Sequence, residues 1–438
     1  MSLDGFIKRN YYWMNDRLHG SKVRKNFDEI GIVLSDIHTG KVIQQKRLSE
    51  LLAHATAYSD FFKPYAGKEI SDFPVTNKQV YIQNHEAVAV PIKNIPEQET
   101  EKLHVQRTSG STGTPFAVFQ DSRKRHRRVA ELKYFGESVG FKSHEKLGQC
   151  RIWTKWHSKS RWQSVKENII PIDISKIDDT SLKDVCETIR KNRIVSLRAY
   201  ASWYERLVSF LENFPQYVSC LKSVKVAISI SEALNENTRQ KMKELAGIPI
   251  VECYADEEAG ILAHQKINDT NYYLNHAGYY FEVLKLDSDE PAEYGELGRI
   301  VLTDLYNYAF PLIRYDTGDT AIFQKGNETS GGWDYMSKLF GRRLDLIYDT
   351  SGKPVHPMTF ARVLKNIPAI IQWQFIQKDE KKYCVKLNVG KNVNMDDIRA
   401  EILLIVGDDA EVAFEQVSDI PVLASGKRKP VVNEWKKS

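Results

Sequence analysis

The stretch RTSGSTGTP, Arg107 to Pro115, has the residue types of a phosphate cradle. Gly110 and Gly113 let backbone N–H groups approach an anion closely, the Ser and Thr hydroxyls donate further bonds, and Pro115 ends the loop. The GK[ST] ending of a Walker A loop is missing, and a plain Gly/Ser turn fits the same residues equally well. In VECYADEEAG, Val251 to Gly260, an apolar strand leads to Tyr254 and then to three consecutive acids, Asp256, Glu257 and Glu258. Neighbouring carboxylates repel, so the cluster is either a solvated surface turn or holds a cation. FPLIRYDTGD, Phe310 to Asp319, is expected to end a strand at its TGD turn. There Asp319 can accept two hydrogen bonds from a vicinal diol such as a ribose, or can simply bond its own backbone. Near the end of the chain, LASGKRKPVV sets Lys427 in a basic loop. Alone, that lysine is an ordinary exposed cation, and the company of the other segments gives it a chemical meaning.

These segments need a scaffold, and composition says it is a folded one. The chain has 438 residues, 42% hydrophobic and 27% charged, with 24 Gly and 15 Pro, long enough for two or three domains and free of disordered or fibrous bias. No apolar run reaches the roughly 18 to 20 residues of a membrane span, and the N-terminus mixes acids, bases and aromatics where a signal peptide is apolar. A cytoplasmic protein without a membrane span is expected. The cysteines Cys150, Cys186, Cys220, Cys253 and Cys384 form no CxxC pair, so reduced thiols are expected. Lys plus Arg outnumber Asp plus Glu by 62 to 57, too nearly balanced to coat an anionic polymer.

No 20- to 50-residue repeat is present. The apolar spacing of Leu48, Leu51, Leu52 and Ala55 predicts a helix over Arg47 to Phe62, followed by a loop at FPVTNK. KSVKVAISI followed by ALNENTRQKMKEL predicts a strand and then a helix, the alternation of an α/β sheet. From Gly278 onward, YYFEVLKL and GRIVLTDL predict strands joined by tight turns, a more antiparallel region. Beyond a boundary at 342–346 a smaller α+β domain is expected, with a strand pair at IIQWQFIQ and KYCVKLNV and a helix near Met395 to Ile405.

Taken in order, the segments resemble the adenylate-forming superfamily of acyl-coenzyme A synthetases and adenylation domains, within it the phenylacetate–coenzyme A ligase branch and its CapK-type relatives from capsular polysaccharide clusters. Thr108, Ser109, Gly110, Ser111, Thr112, Gly113, Thr114 and Pro115 fit the family's T-S-G-T-T-G-x-P loop. Glu232 in SISEA stands for its G-E-P acid, and Tyr254, Ala255, Asp256, Glu257 and Glu258 for its Y-G-x-T-E. Tyr315 to Asp319 match Y-x-T-G-D, Gly341, Arg342 and Asp345 match G-R-x-x-D, and Ser425 to Lys427 match the terminal S-G-K. The likeness covers nearly the whole chain, with departures at Glu257, where the family has Thr, and at Leu344 in the hinge.

The resemblance implies a large N-terminal α/β domain, 1–341, a hinge at 342–346, and a small mobile α+β domain, 347–438, carrying Lys427. It implies ATP and Mg²⁺: the Thr108–Gly113 loop on the β- and γ-phosphates with Thr112 among the catalytic groups, and Glu258 on the metal. Tyr254 would lie on adenine with Glu232, Ala255 and Asp256 nearby, Asp319 and Arg342 on the ribose, and Lys427 between carboxylate and α-phosphate. An acyl-adenylate then passes to coenzyme A or, as the CapK likeness suggests, to an amine or hydroxyl of a cell-surface sugar precursor such as a nucleotide sugar. A non-catalytic binder retaining the fold is a further reading.

Two basic segments lie outside those motifs. DSRKRHRRVAELKYF carries Arg123, Lys124, Arg125, Arg127 and Arg128 on one helix, and WTKWHSKSRW interleaves Trp153, Trp156 and Trp162 with bases. A solvated helix face and a partly buried Trp cluster account for them, or else an anionic acceptor or uronate-bearing substrate does; no nucleic-acid partner is expected. His276 reads as a satisfied strand histidine, or as a neighbour of an acyl pocket.

Overall fold

The structure is a computed structural model that describes residues 2–107, 116–153, 161–175, 178–342, 346–355, 357–364, 367, 369–389, 393–420 and 430–435. Among them the chain forms two compact units, one of residues 2–107, 116–317 and 321–338, the other of Gly318–Thr320 and residues from 339 onward. The fold is mixed α/β, a large N-terminal sheet domain and a small C-terminal sheet domain, as the sequence predicts.

Three helices open the chain: α1 Leu3–Leu18, α2 Lys22–Ser35 and α3 Ile37–Tyr58. The predicted helix at Arg47 therefore begins ten residues earlier than its apolar spacing suggests. Asp36 caps α3 by accepting from the backbone N–H groups of His38 and Thr39, and this polar cap sets the start. Short elements follow: β1 Thr76–Asn77, α4 Lys78–Gln83, α5 His85–Val88, and a hairpin of β2 His104–Arg107 with β3 Ala117–Gln120. Helix α6, Ser122–Ser138, is capped by Asp121, which accepts from Lys124 N at 2.7 Å.

An alternation of strand and helix then builds a parallel sheet: β4 Leu147–Arg151, α7 Arg161–Glu167, β5 Ile169–Asp173, α8 Asp179–Asn192, β6 Ser196–Tyr200, α9 Ala201–Asn213, β7 Val226–Ile230, α10 Glu236–Ala246 and β8 Ile250–Asp256. Strands β5, β4, β6, β7 and β8 are neighbours in that order, each pair parallel. From there the sheet turns antiparallel through β9 Gly260–Gln265, β10 Tyr272–Leu274, β11 Tyr279–Leu284, β12 Leu297–Asp304, β13 Tyr315–Gln324 and β14 Tyr335–Arg342, giving twelve strands with β1. The sequence places the switch at Gly278; it comes earlier, at the turn between β8 and β9, where Gly260 opens the first antiparallel partner. The second unit holds β15 Ile347–Tyr348, β16 Pro354–Val355 and α11 Pro357–Leu364, then β17 Ile370–Asp379, β18 Lys382–Val389, α12 Met395–Val406, β19 Glu411–Gln416 and β20 Val431–Asn433. Its four-stranded sheet, β19-β18-β17-β20, packs Phe375, Val385 and Leu387 against Ile398 and Ile402 of α12.

One face of the parallel strands is closed by α8 and α9 around Cys150, Leu197, Ala199, Ile189 and Leu207. The N-terminal helices close another core, where Val23, Ile30 and Val33 meet Ala130 and Trp333, and Trp333 Nε1 donates to Val33 O at 2.8 Å. All five cysteines are free thiols, four of them buried, and Cys253 is partly buried. No described helix is long and apolar enough to cross a membrane.

Two sequence expectations are corrected. The TGD segment does not end a strand: Gly318 takes φ +79° within β13, which runs on to Gln324. The basic run of α6 is only in part a solvated face: Arg125 is exposed and Arg123 and Arg128 are partly buried. Lys124 and Arg127 are fully buried, Lys124 Nζ lying 2.6 Å from Asp304 Oδ2 and Arg127 Nη1 3.1 Å from Glu29 Oε1. Those partners come from distant parts of the chain, so the local sequence gives no sign of them. His276 is a satisfied buried histidine: Nε2 lies 2.9 Å from Asp334 O, the ring stacks on Trp333, and burial holds it down to about 4. Of the predicted Trp cluster, Trp162 is 84% exposed and Trp153 Nε1 donates to Ile172 O, while Trp156 lies outside the described residues.

Candidate active site

In an open α/β sheet, ligands bind beyond the carboxyl ends of the parallel strands. Here those ends hold Glu232, just past β7, and Tyr254 to Glu258, at the end of β8 and in the turn to β9. Glu232 has taken on a helix-capping task, since one of its oxygens accepts from Ser202 N at 3.0 Å in the first turn of α9. Ser231 before it takes φ +68°, a left-handed backbone in a residue that rarely adopts it.

The acidic turn is held by its own side chain and by its neighbours. Asp256 Oδ1 accepts from Ala259 N at 2.7 Å and Gly260 N at 3.2 Å, which folds the turn. Three consecutive carbonyls are then held from outside: Glu257 O by Arg128 Nη1 at 3.0 Å, Glu258 O by Gln120 Nε2 at 3.4 Å, and Ala259 O by Tyr279 Oη at 2.8 Å. Tyr279 is itself fixed by Lys124 Nζ at 3.2 Å, so the buried cation of α6 supports the acidic turn through one phenol. Gly260 takes φ +125°, and a Cβ there would lie 3.2 Å from Tyr279 Oη, so both backbone and space require glycine.

The buried Glu258 carboxylate accepts from Tyr315 Oη at 2.7 Å. Its other neighbour is Asp256, whose pKa is raised by burial and then by the Glu258 charge. Asp256 Oδ2 is buried without a hydrogen-bond partner. An orphaned carboxylate oxygen beside a second carboxylate suits a cation, and one or two carboxylates with ligand phosphates is the usual protein share of a Mg²⁺ site. Among the described residues no group of three or more acids, His or Cys gathers for a metal. Glu257 is exposed and accepts from Gln106 Nε2 at 2.6 Å; Ala255 is exposed, and Tyr254 is buried.

Asp319 and Arg342 lie on the adjacent strands β13 and β14 in the second unit, where Thr320 Oγ1 donates to Gly341 O at 3.2 Å. Lys427, the whole Thr108 to Pro115 loop, Leu344 and Asp345 lie outside the described residues. The sequence assigns no role to Tyr315, Gln120 or Tyr279, and it reads Arg128 only as part of the basic run of α6. Tyr315 was visible as the first residue of its motif, but its bond to Glu258 spans 57 residues.

Comparison with known proteins adds the lineage. The CapK C-terminal domain family matches residues 347–434. Protein CapK of Staphylococcus aureus is 22% identical over 422 residues, 90% of this chain and 89% of that one. The chain is similar in sequence to CapK and to phenylacetate–coenzyme A ligase, and it has the fold of acyl-CoA ligases. The phenylacetate–coenzyme A ligase of Thermus thermophilus is 21% identical over 367 residues, 78% of each chain. A 2-hydroxyisobutyryl-CoA ligase, solved in the postadenylation state with an acyl-AMP, shares the fold with a TM-score of 0.70 over 91% of this chain and 90% of its own, at 13% identity.

Proposed function

We propose that this adenylate-forming protein is an AMP-forming ligase: it activates a carboxylic acid with ATP, releases pyrophosphate, and passes the acyl group to coenzyme A. The observation that carries this reading is Glu258, held by Tyr315 beside the orphaned oxygen of Asp256, at the carboxyl end of the parallel sheet. In this reading Tyr254 stacks on adenine, with Glu232, Ala255 and Asp256 around it, and Asp319 and Arg342 hold the ribose. The loop from Thr108 to Gly113, including Thr112, cradles the β- and γ-phosphates. Glu258 with Asp256 holds Mg²⁺, which when bound neutralises phosphate charge.

An oxygen of the substrate carboxylate attacks the α-phosphorus, a new C–O–P link forms, and the bond to the β-phosphate oxygen breaks with pyrophosphate leaving. Lys427 lies between carboxylate and α-phosphate and offsets their repulsion as they meet. The acceptor thiol then gives up its proton and attacks the acyl carbon; a thioester C–S bond forms and the acyl C–O bond to AMP breaks, with AMP leaving. A second reading ends the same adenylation in an amide or ester on a cell-surface polysaccharide precursor; what favours it is the CapK match over residues 347–434.

The test is Mg²⁺-dependent pyrophosphate release from ATP with aryl, fatty, amino and uronic acids, with and without coenzyme A, beside Lys427→Ala. Release with one class of acid that disappears in the variant is expected. Release that Lys427→Ala leaves intact removes that lysine from the mechanism, and silence together with no ATP binding by calorimetry overturns the reading.

A further inference from the structure

The parallel strands have two unlike faces. Toward α8 and α9 they present Cys150, Leu197, Ala199 and Ala227, all buried in one apolar core. On the opposite face the lower row, near the strand starts, is covered as well: Leu147 and Val226 pack with Val139 and Phe141. Above it the covering is uneven: Ile228 and Val251 stay fully buried in that cluster, while Gln149 and Arg198 are only partly buried. Register aligns Gln149, Arg198 and Ile228 across β4, β6 and β7. The next row toward the carboxyl ends brings Arg151 into line with Tyr200, Ile230 and Cys253. Gln149, Arg151, Arg198, Tyr200, Ile230 and Cys253 are all only partly buried.

Two arginines on this face have no countercharge among the described residues. Neither Arg151 nor Arg198 donates a hydrogen bond or forms an ion pair among the described residues. Arg151 Nε is buried without a partner, and its guanidinium lies 5.8 Å from the Trp153 ring. The groups that act on Arg198 are the Cys253 thiol and the Tyr204 phenol, no carboxylate among them, and burial lowers its pKa. The acids at the rim are already engaged: Glu232 with Ser202 N and Glu257 with Gln106. Both of these, with Arg151, act on Tyr200 between them. A cation taken out of water without a partner is unfavourable, and a bound anion relieves it. Residues placed diagonally on adjacent strands have Cβ atoms about 7–8 Å apart, so two guanidinium forks at this spacing can converge on one carboxylate or phosphate.

This row lies at the carboxyl end of the sheet beside the candidate site, since Cys253 is followed in β8 by Tyr254 and then by the turn of Glu258. We propose that Arg198, assisted by Arg151, binds a second anionic group on the acid this chain activates. Its substrates are then small dianionic acids, dicarboxylates or acids bearing a phosphate or phosphonate. The proposal deepens, and rests on, the reading of the chain as a carboxylate-activating ligase.

The test measures binding by calorimetry to the full chain, with succinate, glutarate and 3-phosphonopropionate against butyrate and pentanoate. Wild type, Arg198→Gln and Arg198→Lys are compared, with ATP binding titrated in parallel. A preference of about tenfold or more for the dianionic probes is expected, the scale of a charge-assisted bidentate contact. Arg198→Gln should lose it and Arg198→Lys keep part of it, while ATP affinity and melting temperature hold. No dianionic preference in the wild type, or an undiminished one in Arg198→Gln, overturns the proposal. Arg198-dependent binding of a dianionic probe without pyrophosphate release from ATP leaves the anion site standing and counts against adenylation. Release with monoanionic acids that is indifferent to Arg198→Gln does the reverse.

Discussion

Helix α6 and the strand pair β4 and β6 both carry arginine or lysine into the molecule, and they treat the charge in opposite ways. Lys124 and Arg127 of α6 are fully buried and paired with the carboxylates of Asp304, Glu29 and Glu131, with Tyr279, Tyr306 and the Ala277 carbonyl as further partners, although Arg127 Nε makes no hydrogen bond. Arg151 and Arg198 are less buried and have no such partners among the described residues. The first pattern is a strut: its charges are spent inside the protein and hold the acidic turn through Tyr279. The second leaves charge in reserve on a sheet face that the fold elsewhere covers with apolar residues. Degree of burial would therefore rank these cations wrongly for function, and the state of their partners ranks them correctly.

The comparison can be broken most sharply at Lys124. Lys124→Met should destabilise by about 3–5 kcal/mol, because it strands the buried Asp304 carboxylate, and the double variant with Asp304→Asn should recover part of that loss in urea denaturation. Arg198→Gln, by contrast, should barely move the urea midpoint. Equal losses at the two sites would erase the distinction.

Buried histidines show a third way of handling burial, by staying neutral. His264 and His276 are both held down to about 4, chiefly by burial. Below the unfolded value of about 6.5 the unfolded chain binds more protons, so their contribution is present above that pH and lost as pH falls toward 4. Between pH 7 and pH 5 each should contribute about 2 kcal/mol to the loss of stability, and His264→Gln should lose that much less than wild type over the same interval. A wild-type pH slope unchanged by the substitution would count against a neutral buried ring.

The smallest effect is expected at Tyr279→Phe, which keeps the Lys124–Asp304 pair and deletes the bond to Ala259 O. About 1 kcal/mol of stability should go, with a raised Mg²⁺ requirement for pyrophosphate release if the strut positions Glu258. An unchanged Mg²⁺ titration would confine Tyr279 to a purely structural role.

Much of this architecture was legible in the sequence because its signals are local. Strand-then-helix alternation gave β7 and α10, tight turns after Gly278 gave β11 and β12, and the motif order gave the lineage. What escaped was non-local. The run around Lys124 looks like a solvated basic face because Asp304 is 180 residues away. Asp319 looks like a strand end because a positive-φ glycine inside a strand and a turn glycine have the same sequence signature. Arg198 was the readable one that was missed: in SLRAY it occupies a strand position whose neighbours across the sheet are Gln149 and Ile228, which only the register reveals. The Tyr315–Glu258 bond joins two motifs that the sequence lists separately, and no pattern within either motif announces it.

The five thiols make the chain its own reporter. Cys150 and Cys186 are fully enclosed, so a thiol-labelling reagent reaches them only when the parallel sheet opens, and their labelling rates clock that opening. Cys253, partly buried in the row of Tyr200 and Ile230 and pushed up to about 11 by burial, is reachable without it. Slow alkylation of Cys253 without ligand, and its protection when an anion lies over Arg198, are the outcomes expected of a single native cysteine serving as a gauge of occupancy that needs no turnover at all.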